Sequence, residues 1–241
     1  MLRIPREVHH RAHEHGGVVV LNTRTGQWHA LNPTAGALWR SWADGASFAQ
    51  SVATVAATHP TAPAATISAD ASRLLTALVT RGLLESPLDG APGRPKAEVA
   101  RPAPSLGVAT VALRPGKPVG WGARLVAGLC LGAALVVLRL PFRHVAALVG
   151  GLRRGWCRAD VGHERAEHIV EAVRQAALAY PGRAACLETS LAAVLLAALT
   201  RGRLDWCLGA VTDPYRFHAW VESRGIPAPL PDLAYQRVFT I

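Results

Sequence analysis

Acidic residues are scarce in this 241-residue chain. Asp and Glu total 16 against 26 Lys and Arg, a net charge of +10, with a pI near 10.6. That excess favours an acidic partner: nucleic acid, a membrane surface or an acidic peptide. Other absences narrow the choice. No dense basic block is interleaved with aromatics. The arginines are scattered instead, including Arg139, Arg143, Arg153, Arg154, Arg158 and Arg165, so no nucleic-acid partner is expected. The four cysteines, Cys130, Cys157, Cys186 and Cys207, are far apart and read as thiols rather than a disulfide framework. Cys157, His163 and His168 lack the close pairing of zinc ligands, so no metal is expected. The first residues carry no apolar signal core, so export is not indicated and a cytoplasmic location is expected. The apolar run 125–138, between Arg124 and Arg139, is too short to span a bilayer comfortably. A buried helix is favoured there over membrane contact. No Gly-rich phosphate loop of the Walker type occurs, so no ATP chemistry is expected in this chain.

Half of the residues are hydrophobic, enough for a real core in one large or two small domains. Residues 18–22 and 27–31 are short β-type runs, with Thr23-Arg24-Thr25-Gly26 as the turn. Asn32-Pro33 predicts a helix start, Asn as cap and Pro in the first turn. Leu38, Trp39 and Trp42 form the stripe of this helix. Ser47 predicts the cap of a second helix carrying Phe48, Val52 and Val55. A third helix is expected from about 68 to 81, closed by Gly82, with a short returning strand at 83–85. A hairpin followed by three helices makes a small winged-helix-like domain.

Leu31-Asn32-Pro33-Thr34, Ala37-Leu38-Trp39 and Leu78-Val79-Thr80-Arg81-Gly82-Leu83-Leu84 resemble the PqqD-like family, the RiPP recognition elements, over about residues 8–85. The resemblance implies binding of the leader of a ribosomally made precursor peptide, added as a strand to the hairpin edge beside the third helix. Gln27, Trp28 and His29 on the edge, with Arg73, Ala77 and Arg81 on the helix, are the expected contacts. The Pro-, Gly- and Ala-rich stretch 86–105 reads as a linker between a domain at 1–85 and another at 106–241. It would raise the effective concentration of a tethered peptide.

In the second half, 163–179 is amphipathic and Pro181-Gly182 stops it. The next helix opens at Cys186, with Leu187, Leu191, Val194, Leu195 and Ala198 as its buried face. A thiol in a first turn meets free N–H groups and the positive end of the helix dipole, which together predict a lowered pKa. Strands are expected at 204–212, 217–222 and 235–241. The middle strand carries His218, Trp220 and Glu222 on one face by its two-residue period. A helix with Cys, a strand with His, then an acid follows the order of a papain-like core.

Cys186-Leu187-Glu188-Thr189-Ser190-Leu191-Ala192 and His218-Ala219-Trp220-Val221-Glu222 are similar to the transglutaminase-like leader peptidases of lasso-peptide biosynthesis, over roughly residues 121–241. The fold class implied is α+β, a small winged-helix-like PqqD-type domain linked to a papain-like/transglutaminase-like cysteine protease domain. The resemblance implies Cys186 as nucleophile, His218 as base and then acid, and Asp232 as orienting carboxylate. Asp205 and Asp213 are rivals that precede the histidine. It further implies hydrolysis of the leader–core amide. An asparagine-synthetase-like lasso cyclase, a partner that uses ATP, would then close the macrolactam. The alternative is a non-catalytic scaffold that holds the leader for that cyclase.

Overall fold

The computed structural model describes residues 2–14, 16–85, 119–212, 215–230 and 235–241. The stretch read as a linker, 86–105, lies outside the described residues, as do Asp213 and Asp232. The chain separates into two compact units, Met1–Ser105 and Leu106–Ile241.

The first unit begins with a three-stranded antiparallel sheet, β1 (Val8–Ala12), β2 (Val18–Asn22) and β3 (Gln27–Leu31), in that spatial order. The sequence predicted only the second and third strands. The first, Val8-His9-His10-Arg11-Ala12, has one buried residue in five, so its strand character comes from pairing with β2 rather than from periodicity. In the β2–β3 turn, Asn22 Oδ1 accepts from the Arg24 N–H at 3.0 Å. Gly26 takes φ +75°, open to glycine at no steric cost. All five residues of the central β2 are buried.

Three helices cover one face of this sheet: α1 (Pro33–Ala43), α2 (Phe48–Thr58) and α3 (Ala64–Thr80). Asn32 Oδ1 accepts from the Ala35 N–H at 2.9 Å. Ser47 and Gln50 form a reciprocal capping box. The third helix starts four residues before the predicted Ser68. Its cap is Pro63, without a side-chain bond, and the alanines that follow are strong enough helix formers to extend the first turn backward. Gly82 at φ +66° ends it, and the Leu83 N–H returns to the Leu78 carbonyl at 2.9 Å. The expected strand at 83–85 reduces to one bridge, Arg3 to Glu85. Val18, Val20, Leu31, Leu38, Trp39, Trp42, Leu78 and Leu84 form the core.

The second unit is built on α7 (Cys186–Leu199). Around it stand α4 (Trp121–Val137), α5 (Phe142–Gly155) and α6 (His163–Ala179). Two-residue strands β4 (Ala159–Asp160) and β5 (Gly202–Arg203) pair in parallel beside it. An antiparallel sheet follows: β6 (Asp205–Thr212), β7 (Tyr215–Ser223), β8 (Ile226–Ala228) and β9 (Gln236–Thr240), in the order β8-β7-β6-β9. The short β8 falls in a proline-rich run that the sequence showed only as a turn. Ser190, Leu191, Ala192, Ala193, Val194, Ala197 and Ala198 of α7 are buried, so this helix is enclosed on most of its circumference. Leu187 and Leu195, expected in the buried face, are half-buried.

A buried polar bond ties α7 to the sheet. The Trp206 indole N–H on β6 donates to Ser190 Oγ at 2.8 Å, with both residues buried. Ser190 stands one turn beyond Cys186, so this bond fixes the rotation of α7 close to the thiol. In Ser190→Ala the buried indole N–H loses its acceptor. The second unit should lose about 1–3 kcal/mol, seen as a lower urea midpoint with an unchanged slope.

Candidate active site

Cys186 is the first helical residue of α7. The Ala185 N–H just before it donates to Glu188 Oε2 at 2.9 Å, so Glu188 closes the helix start. The backbones of Ala219, Cys186 and Leu187 lie close enough to the Cys186 thiol to favour its anion, each pulling its pKa down. Burial is the larger effect and Glu188 adds to it, so the thiol titrates above its ordinary 9.0. The sequence predicted the reverse. A half-buried thiol loses more by desolvation of its anion than the helix terminus returns.

Ala219 immediately follows His218 on β7. The helix start and the histidine strand therefore meet at the thiol. Burial lowers the pKa of His218 from its usual 6.5. Both shifts favour the uncharged form of the group concerned.

Aromatic rings hold that imidazole. Tyr235 stacks on it with centroids 4.7 Å apart, and Trp220 lies parallel at 6.0 Å and 11°. The Trp220 indole N–H donates to Glu222 Oε1 at 2.9 Å, while Glu222 Oε2 accepts from Arg237 at 2.7 Å. Glu222 is 5% exposed, a buried carboxylate whose two oxygens are both bonded. His218, Trp220 and Glu222 thus share one face of β7, as the two-residue period required. The opposite face presents Val221 to the helical core. Gly209 on β6, opposite His218 in the β6–β7 register, makes room for this arrangement. A Cβ there would run into the Gln236 carbonyl and come within 2.7 Å of the Trp220 ring. Tyr235, Arg237 and Gly209 carried no local signal in the sequence, since their roles depend on β9 returning beside β6.

The rival residues separate by position. Asp205 pairs with Glu222 in the β6–β7 register, while Gly209 pairs with His218. Four residues of strand, about 13 Å, divide Asp205 from the histidine, and its carboxylate is bound by Arg153 at 2.6 Å. The other thiols differ too. Burial pushes Cys207 up to about 12. Cys130 is buried in the helical core, and Cys157 is raised by burial. Among the described residues, no group of three His, Cys, Asp or Glu side chains gathers as a metal site.

In the first unit, Gln27, Trp28 and His29 lie on β3, an edge strand of its sheet, and all three are half-buried. Arg81, at the C-terminal end of α3, is close enough to lower the His29 pKa, after burial, which is the main cause. That interaction brings the strand and the helix end together. Arg73 is exposed and paired with Asp70. Ala77 lies between the two arginines at four-residue spacing and is half-buried.

The model of the transglutaminase-like superfamily matches residues 127–240. That of coenzyme PQQ synthesis protein D (PqqD) matches residues 17–84. No curated protein matches the chain. Among solved structures, TbiB1 in complex with the TbiA(beta) leader peptide is 26% identical over 35% of this chain and 95% of that one, with a TM-score of 0.33.

The raised thiol gives a test. Because its folded pKa exceeds the unfolded one, Cys186 contributes stability below pH 9.0 that is lost as pH climbs through the folded value. Alkylation of Cys186 by iodoacetamide should still be climbing with pH at 9.0 and level off only above it. A rate already at its plateau near neutrality would mean that the helix terminus outweighs burial. The chain joins a PqqD-family domain at residues 17–84 to a transglutaminase-like-superfamily domain at residues 127–240.

Proposed function

We propose that this protein is a cysteine peptidase of lasso-peptide biosynthesis. Its first unit binds the leader of a precursor peptide, and its second hydrolyses the leader–core amide. The carrying observation is the meeting of the Cys186 thiol with the backbone of Ala219, next to His218. The superfamily match over residues 127–240 supports it.

His218 is neutral and acts as base. It takes the Cys186 proton as the sulfur attacks the scissile carbonyl, so the thiolate exists only when substrate is present. The oxyanion forms beside sulfur, where the Cys186 and Leu187 N–H groups at the start of α7 can donate to it. The imidazolium then protonates the leaving amine and the leader remains as a thioester. Water, deprotonated by His218, releases it. Trp220 and Tyr235 keep the ring in position throughout. Asp232 is the proposed orienting carboxylate. Hydrolysis needs no cofactor. The freed core amine passes to an asparagine-synthetase-like, ATP-using cyclase that forms the macrolactam.

Leader capture follows the physics of strand addition. Main-chain groups on the outer edge of β3 supply affinity. Gln27, Trp28 and His29, with Arg73, Ala77 and Arg81 along α3, supply selectivity, and the two arginines favour an acidic leader.

Mass spectrometry of a precursor incubated with the protein and its cyclase tests the reading. Wild type should release the core. Cys186→Ala should bind the precursor with unchanged affinity and release none. Binding without cleavage by either protein would leave a leader-binding scaffold. Paired Arg73→Glu and Arg81→Glu changes should weaken precursor binding about tenfold while sparing Cys186 alkylation. The lowered His218 pKa predicts that the acid limb of kcat/KM lies below pH 6.5. A limb above that value would mean that the base is another group or that a nearby anion outweighs burial.

A further inference from the structure

Helix α4 is apolar on both faces, yet the described residues of its unit cover only one. Ala127, Cys130, Leu131 and Ala134 are buried against α6 and α7. On the other side Trp121 is 76% exposed, Leu125 51%, Leu129 75% and Val136 63%. These positions are spaced by four, four and seven residues, along one line of the helix. Gly132 lies in the same line with open space above it. Leu140, just past the helix end, continues the line at 52%. The buried helix expected at 125–138 is therefore half uncovered. A helix apolar all round normally has a partner on every side.

Charge around the stripe narrows the partner. No Asp or Glu occurs between Glu98 and Asp160. Arg124 in the first turn of α4, Arg139 just after its end and Arg143 in the first turn of α5 are all exposed. None of these three forms an ion pair with a described acidic residue. A second copy of the chain, meeting this face about a two-fold axis, would bring the same arginines together and be repelled. No described helix is long and apolar enough to cross a membrane, but a helix need not cross to bind one. Trp and Leu on one face with arginines at the border is the arrangement of a helix lying in the headgroup region of an anionic bilayer.

We propose that the exposed face of α4 docks on an anionic lipid surface. Trp121, Leu125, Leu129 and Val136 enter the acyl boundary, and Arg124, Arg139 and Arg143 engage lipid phosphates. Each such arginine adds about fivefold to binding at low ionic strength.

Flotation of the full-length protein with vesicles tests this. It should bind phosphatidylglycerol–phosphatidylcholine vesicles, release at high salt, and bind pure phosphatidylcholine at least tenfold less. Paired Leu125→Glu and Leu129→Glu changes should cut binding to the anionic vesicles tenfold or more. Both side chains are exposed, so the thermal midpoint and far-UV circular dichroism should not change. Arg124→Gln, Arg139→Gln and Arg143→Gln together should remove the preference for phosphatidylglycerol and leave the residual binding to neutral vesicles. Failure of the wild type to float would overturn the proposal and leave an acidic protein as the occupant. Equal flotation of the leucine variant would overturn it too. So would a concentration-dependent dimer that the leucine variant abolishes, which would make this face a contact between copies.

Discussion

The docking of α7 on the β6–β7 strands is the constraint on which the second unit depends. A directional tie within it is the Trp206 to Ser190 bond, buried on both sides. A helix packed only through alanine and leucine can rotate at little cost, because apolar contact is not directional. A buried indole N–H that must keep its acceptor is directional. Fixing Ser190 fixes Cys186 one turn earlier, and so brings the thiol to the backbone of Ala219.

Electrostatics at the thiol then follow from that depth. Burial raises Cys186 and lowers His218, and both shifts favour the uncharged partner. The rings of Trp220 and Tyr235, with Glu222 and Arg237 behind the indole, keep the imidazole from turning away. Gly209 is the position that lets β9 and the indole close over it.

The first unit uses a different economy. Its sheet has a wholly buried central strand and an edge, β3, beside the end of α3. Glycine at 26 and 82 and caps at Asn32 and Ser47 set the turns. The covered face of the sheet is closed by Trp39, Trp42 and Leu78, while β3 remains at the edge of the sheet.

Local chemistry was legible in the sequence where the cause is local. The caps at Asn32 and Ser47, the Gly26 turn, the start of α7 at Cys186, and the shared face of His218, Trp220 and Glu222 all follow from one residue and its near neighbours. The start of α3 was misplaced because Ser68 resembles a cap while alanine propensity carries the helix past it. β1 was missed because its pattern is polar and its partner supplies the order. Tertiary structure alone decided the direction of the Cys186 shift, since desolvation depends on what covers the sulfur and the helix dipole does not report that. It alone placed Tyr235 on His218 and required glycine at 209, because both depend on a strand arriving from the end of the chain. It alone left one side of α4 bare, because hydrophobicity says that a residue prefers cover and cannot say whether the fold provides any.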